Sequence, residues 1–153
     1  MDLPPTAELF EIEKIKRLKA RYFRFVDTKD WTALASLFTA DATMFFPETQ
    51  DAPASAADGI AFIAAALNTG TSVHHGHMAE IEILTPTTAR AIWAMEDRLF
   101  WDDGMAGALG LSALHGYGHY HENYRKEEGA WRIASFRLSR LWSQQTPPAQ
   151  HIA

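Results

Sequence analysis

The 153-residue sequence contains no cysteine. Disulfides, zinc–thiolate sites and thiol nucleophiles are therefore excluded, and the absence of cysteine fits a reducing compartment. No stretch reaches the roughly 20 apolar residues that a membrane-spanning helix needs. The first residues also lack the basic segment and apolar run of a signal peptide. These absences lead us to expect a cytoplasmic protein.

Dense clusters of Lys and Arg are absent as well, and the formal net charge is −5. Neither nucleic acid nor a membrane surface is therefore an expected partner. The chain has no glycine-rich loop of the phosphate-binding type and no Gly-x-Ser-x-Gly motif. What it does contain is many aromatic residues: nine Phe, five Trp and four Tyr. These side chains could line an apolar ligand cavity or pack an ordinary core.

The order of sequence periodicities predicts one α+β domain. Residues 1–5 are expected to be a lead-in, residues 6–142 the domain and residues 143–153 a C-terminal tail. A helical period of three to four begins near Thr6 and predicts an amphipathic helix that ends at residues 27–30. The remaining predicted elements are a short helix from Trp31, a strand at 42–46, a helix at 58–67 and strands at 72–84, 88–101, 111–124 and 131–141.

Alternation of side chains along a strand sorts these residues into two faces. In the strand 72–84 it assigns His75 and His77 to the more apolar face and His74 to the face with the carboxylates. In the strand 88–101 it places Asp97 as the single charge in the apolar row that contains Trp93 and Met95. The last strand carries Arg137 beside apolar neighbours in the same way. Since a buried charge is costly without a partner, Asp97 and Arg137 could pair or could face a wet pocket.

The strand 111–124 places Gly116, Gly118 and Tyr120 on one face. Two glycines leave room for something to approach closely. The opposite face carries several histidines, of which His119 and His121, together with His75 and His77, could furnish metal ligands. We regard a metal as the weaker hypothesis, and no metal or cofactor is expected.

Taken in order, several motifs resemble the SnoaL-like branch of the nuclear transport factor 2-like superfamily. The quoted pieces are Tyr22-Phe23-Arg24-Phe25-Val26-Asp27, Asp30-Trp31, His74-His75-Gly76-His77, Trp93-Ala94-Met95-Glu96-Asp97 and Gly129-Ala130-Trp131-Arg132-Ile133. The resemblance implies a cone-shaped α+β barrel, in which a curved, mainly antiparallel sheet wraps around a long N-terminal helix and encloses a pocket. Relatives are commonly dimers or trimers, so a homodimer or homotrimer is expected.

In the dehydratases and dehydrochlorinases of this superfamily, a histidine supported by an aspartate acts as the base. The resemblance maps this pair onto His75 and Asp27, and the bile-acid dehydratase pattern adds Tyr22, Asp97 and Arg137. Asp30 is the competing acid, because Asp27 lies about 140° from Tyr22 on an ideal helical wheel.

Four further positions complete the predicted site. Tyr120 replaces an asparagine of the scytalone dehydratase pattern, which argues against the same substrate. Trp93, Met95 and Phe46 are expected to form an apolar wall.

The resemblance implies a cofactor-independent lyase that removes water or HX from a small hydrophobic, cyclic substrate. Two alternatives remain open at this point. One is an isomerase or cyclase that uses the same base, and the other is a non-catalytic binding or assembly subunit.

Overall fold

The structure, a computed structural model, describes residues 4–102 and 109–149. Part of the predicted lead-in, most of the loop predicted after residue 102 and the end of the predicted tail lie outside the described residues.

Three helices precede or interrupt the strands: α1 (Pro5–Asp27), α2 (Trp31–Ala35) and α3 (Ala56–Leu67). The first begins one residue before Thr6, which is therefore not its cap. Pro4 is the N-cap, and Pro5 takes a position where a missing N–H costs nothing. Asp30 caps α2 by accepting a hydrogen bond of 3.0 Å from the Ala33 amide. The carboxylate of Asp30, the competing acid, is therefore bound to the backbone of α2.

Six strands form one sheet in the order β2-β1-β6-β5-β4-β3. Their bounds are β1 Phe38–Phe45, β2 Ala54–Ser55, β3 Gly70–Thr85, β4 Thr88–Trp101, β5 Ala113–Glu127 and β6 Ala130–Thr146. Only the β1–β6 pairing is parallel, and the other four pairings are antiparallel. The last strand continues past residue 142, where the domain was predicted to end.

The curved sheet wraps around α1, as the cone-shaped α+β prediction requires. Helix α1 packs mainly on β3 and presents a stripe of buried residues to the sheet. On β4 the buried positions alternate without interruption from Ala89 to Trp101, so the predicted inward row with Asp97 is confirmed. The core therefore lies between α1 and the concave face of the sheet.

One-residue bulges interrupt the alternation of side chains in the strands that flank this core, and two of them decide which residues face the cavity. In β3, Gly76 pairs with Met95 but Ala79 pairs with Trp93, so three steps on one strand match two on the other. An extra residue of this kind reverses which face the following side chains occupy. Ser72 and His74 therefore face inward before the bulge, and Ala79 does so after it.

The same irregularity occurs in β6. Ile133 pairs with Tyr124 and Ser135 with Asn123, so Ala134 is an extra residue. Beyond it, the inward positions are Phe136, Leu138 and Arg140 rather than Arg137.

None of the helices in the described ranges is long and apolar enough to cross a membrane.

Candidate active site

A histidine–aspartate pair joins the end of α1 to β3. The Nδ1 atom of His74 lies 2.7 Å from Oδ1 of Asp27. Asp27 Oδ2 accepts a hydrogen bond of 2.8 Å from the backbone N–H of His74, and Ser72 Oγ donates to Oδ1 at 2.9 Å. These contacts fix the carboxylate and the ring relative to each other.

This arrangement determines the tautomer of the neutral imidazole. An ionised carboxylate can only accept, so Nδ1 of His74 carries the hydrogen. The lone pair is then on Nε2, the atom left to meet a ligand. Because His74 lines the internal cavity, Nε2 has the chemistry of a general base there.

The prediction that His75 is the partner of Asp27 is wrong. His75 is exposed on the outer face of β3, whereas His74 is the histidine that contacts Asp27. The physical reason is the bulge after Gly76. Strict alternation from the inward residue Ala79 back along the strand puts His75 on the inner face, but the extra residue reverses the faces and puts His74 there. The mapping of Asp27 as the acid that holds a histidine agrees with the observed contacts.

Asp97 forms a two-bonded ion pair with Arg140. Arg140 Nη1 donates to Asp97 Oδ1 at 2.9 Å, and Nη2 donates to Oδ2 at 2.6 Å. Burial alone would lower the pKa of Arg140, but its hydrogen bonds and charge interaction with Asp97 outweigh this and raise it. Arg140 Nε lies 3.3 Å from Glu48 Oε2 without hydrogen-bond geometry. Both members of the Asp97–Arg140 pair line the cavity, and Asp97 lies directly opposite His74 in the β3–β4 ladder.

The expectation that Arg137 pairs with Asp97 or faces the same pocket is therefore also wrong. Arg137 is exposed and lines a groove on the other side of the sheet. The bulge at Ala134 turns it outward and brings Arg140, three residues later, to the inner face.

Gly116 makes this ion pair possible. Asp97 belongs to β4 and Arg140 to β6, and the pair bridges the intervening strand β5. A Cβ at Gly116 would lie 2.0 Å from Arg140 Nη1 and 2.6 Å from Asp97 Oδ1. The close approach expected at the glycines of β5 is thus that of the guanidinium at Gly116, whereas at Gly118 it is that of the Ser139 backbone carbonyl.

Tyr22 and Tyr120 both line the cavity, and both are almost completely buried. Their ring centroids are 6.1 Å apart in an edge-on arrangement. Burial, the largest cause, raises the pKa of both hydroxyls well above the usual value. The two phenols therefore stay protonated and can donate hydrogen bonds to a ligand.

The cavity has a volume of about 300 Å³ and a mainly apolar wall. Phe46 belongs to this wall, as predicted. Trp93 and Met95 do not line it: both are buried in the core, where Trp93 Nε1 donates to the Tyr124 hydroxyl at 2.9 Å. The other apolar lining residues are Val26, Pro47, Phe62, Ile63, Ala66, Leu67, Leu99, Leu109, Leu111, Leu114 and Leu138.

The histidines of the weaker metal hypothesis lie on the outer face of the sheet. His75 and His77 are on β3, and His119 and His121 on β5, two strands away. Within residues 4–102 and 109–149, no group of three or more His, Asp or Glu side chains is arranged to hold a metal ion.

Sequence reasoning missed His74, Ser72, Arg140 and Glu48. Strict alternation carried no signal for the β3 bulge, because it puts Ala79, Ile81 and Ile83 on one face with or without the extra residue. The small residues Gly76 and Ala134 lie beside the two bulges. Glu48 carried no signal, since it lies in an irregular loop.

Comparison with known proteins gives one family match. The model of the SnoaL-like domain matches residues 7–137. The chain is 29% identical over 138 residues to "Probable cyclase FGR4" of Gibberella zeae, covering 84% of this chain and 89% of that protein.

Two solved structures are similar in fold. A "Putative Scytalone Dehydratase" from Novosphingobium aromaticivorans has 17% identity and a TM-score of 0.79, covering 98% of this chain and 100% of that one. The hexachlorocyclohexane dehydrochlorinase LinA-type3 from Novosphingobium barchaimii has 13% identity and a TM-score of 0.75, covering 98% and 99%. At these identities the likeness concerns the fold alone.

Proposed function

Because this chain belongs to the SnoaL-like domain family, we propose that it is a cofactor-independent lyase that eliminates water or HX from a small hydrophobic, cyclic substrate. The observation that carries the proposal is the His74–Asp27 pair, whose ring opens into an apolar cavity. The size of the cavity, about 300 Å³, suits a small molecule.

In the proposed reaction, Nε2 of His74 removes a proton from a carbon of the substrate. The C–H electron pair becomes a C=C bond, and the bond to the leaving group breaks on the neighbouring carbon. A halide departs as the anion, while a departing hydroxyl takes up a proton from the imidazolium and leaves as water. Asp27 stabilises the imidazolium that forms, in the manner of other histidine–carboxylate pairs.

The cavity tyrosines supply hydrogen bonds to oxygen. A carbonyl next to the reacting C–H bond becomes more negative as the proton is removed, and a buried donor stabilises that charge. Tyr22 and Tyr120 are buried hydroxyl donors that line the cavity. The Asp97–Arg140 pair forms a polar end of the cavity beside His74 and would orient a hydroxyl or carbonyl group of the substrate.

A second candidate function uses the same base. Proton removal next to a carbonyl also starts an isomerisation or a ring closure, and the relative from Gibberella zeae is named a cyclase. The two reactions differ in mass balance, since elimination releases water or HX while isomerisation conserves the substrate's mass.

A screen of neutral hydroxylated and halogenated cyclic ketones by mass spectrometry tests the proposal. The expected product has lost water or HX. His74→Ala is expected to lower the rate at least about 100-fold, the usual contribution of a general base.

His75→Ala is the matched control, because the neighbouring histidine lies on the opposite face of the same strand. It should retain activity. A product of unchanged mass would support the isomerase or cyclase instead, and a fully active His74→Ala variant would contradict both functions.

A further inference from the structure

A second pair of charges is buried outside the cavity. Lys19 of α1 and Glu122 of β5 have fully buried side chains, and Lys19 Nζ donates a hydrogen bond to Glu122 Oε1. Neither residue lines the cavity of the His74–Asp27 pair. The proposed reaction therefore leaves this ion pair without a role.

The second oxygen of Glu122 is also occupied. Tyr124 donates its hydroxyl hydrogen to Oε2, and the same hydroxyl accepts from Trp93 Nε1 at 2.9 Å. Both carboxylate oxygens are thus hydrogen-bonded, as a buried carboxylate requires. Tyr124 of β5, itself bonded to Trp93 of β4, holds one carboxylate oxygen of Glu122, and Lys19 binds the other.

The ammonium group of Lys19 lies against the two cavity tyrosines. Its Nζ is 3.9 Å from the ring centroid of Tyr22 and 4.0 Å from that of Tyr120. These distances are well within the range of a cation–π interaction, which acts on the face of a ring. The same nitrogen is thus in contact with the two residues that offer hydroxyl groups to the cavity.

Stability alone does not account for such a pair. Desolvation of two charges offsets much of their attraction, and apolar replacements of buried ion pairs are often neutral or stabilising. For Lys19, burial lowers the pKa and the charge and hydrogen bond of Glu122 oppose this effect. Phe23 and Phe136 also lie within cation–π distance of Nζ, at 4.9 and 5.2 Å, but the two tyrosine rings are nearest. What an apolar side chain could not reproduce is a positive charge against these ring faces.

We propose that Lys19, held by Glu122, is a positioning residue that fixes the rings of Tyr22 and Tyr120 so that both hydroxyls stay directed at the cavity. The effect on the rings rests on the geometry of the four side chains. Its consequence for catalysis rests on the proposed function. The two are therefore tested separately.

Fluorine NMR of protein labelled with 3-fluorotyrosine tests the effect on the rings. The chain has four tyrosines, so each resonance can be assigned with a Tyr→Phe variant. In the double variant Lys19→Met/Glu122→Gln, which leaves no unpaired buried charge, the Tyr22 and Tyr120 resonances are expected to shift and broaden. Tyr117, which is exposed on the outer face, should not change.

The matched control removes an exposed ion pair from the same helix. Lys16 and Glu13 are in contact at 2.6 Å, and both are about half exposed. Lys16→Met/Glu13→Gln should leave all four resonances unchanged. If Lys19→Met/Glu122→Gln does not fold, Lys19→Leu/Glu122→Met provides the same measurement with apolar side chains.

Unchanged Tyr22 and Tyr120 resonances in a folded variant would overturn the proposal. A shift of Tyr124 alone would show that the pair serves only the Tyr124–Trp93 hydrogen bonds.

With a substrate in hand, the same double variant is expected to lower kcat roughly tenfold, with KM changing less than about threefold. A wild-type protein that is inactive on every compound of the substrate screen would refute the proposed function and leave the NMR result standing. A normal kcat with shifted resonances would refute the catalytic consequence alone.

Discussion

At the scale of single residues, Gly116 determines which charges can meet in the cavity. The guanidinium of Arg140 passes over this position to reach Asp97 two strands away. No larger residue leaves that path open, because even a methyl group would lie 2.0 Å from Nη1. A residue without a side chain therefore controls the polar end of the site.

We expect Gly116→Ala to destabilise the protein by about 3 kcal/mol, since it displaces Arg140 and leaves Asp97 as an uncompensated buried charge. Urea denaturation measures the change. In an Asp97→Ala/Arg140→Ala background, which removes both clashing groups, the same substitution should cost less than about 1 kcal/mol. Equal costs in the two backgrounds would show that the ion pair is not the reason for the glycine.

At the scale of elements, the bulges in β3 and β6 let one strand present two different sets of side chains to the core. In β3 the polar residues Ser72 and His74 face inward near Asp27, and Ala79, Ile81 and Ile83 face inward farther along. Without the extra residue, one of these sets would face solvent. The bulge thus joins a half-strand that contacts Asp27 to a half-strand that packs in the core.

Deletion of Met78 tests this interpretation. Met78 lies in the bulge and is 94% exposed, so removal of its side chain alone should change the stability by less than about 0.5 kcal/mol. Deletion of the whole residue removes the bulge and must turn either the His74 set or the Ile81 set outward. We expect a loss of several kcal/mol or of the folded state, measured by urea denaturation with Met78→Ala as control. A deletion variant as stable as Met78→Ala would contradict this interpretation of the bulge.

At the scale of the whole molecule, the charges around the cavity predict which ligands it accepts. The carboxylates of Asp27, Asp97 and Glu48 are opposed by the guanidinium of Arg140, which already binds Asp97 with two hydrogen bonds. An anionic ligand would have to displace Asp97 or lie near uncompensated negative charge. We therefore expect the cavity to favour neutral molecules.

Calorimetry with two ligands of similar shape measures this preference. Neutral cyclohexenone is expected to bind at least about tenfold more tightly than cyclohexanecarboxylate. Leu138→Trp, which fills the cavity, should abolish binding, whereas Ile92→Trp on the outer face should not. Tighter binding of the carboxylate would show that Arg140 is available to anions.

The homodimer or homotrimer expected from the resemblance stays a prediction.

The sequence by itself determined the fold class, the order of the elements other than the two-residue strand β2, and the uninterrupted alternation of β4. It also supplied Asp27, because the family motif around it outweighed a helical wheel that placed this residue in solvent. These features depend on local periodicity or on motif order, and both are visible along the chain.

Only the tertiary structure decided between His74 and His75 and between Arg140 and Arg137. A bulge depends on the register between two strands, and one extra residue reverses every following side chain. The Lys19–Glu122 pair was hidden for a related reason. Lys19 looks like a dispersed charge on an amphipathic helix, and its burial becomes evident only when β5 brings Glu122 against it.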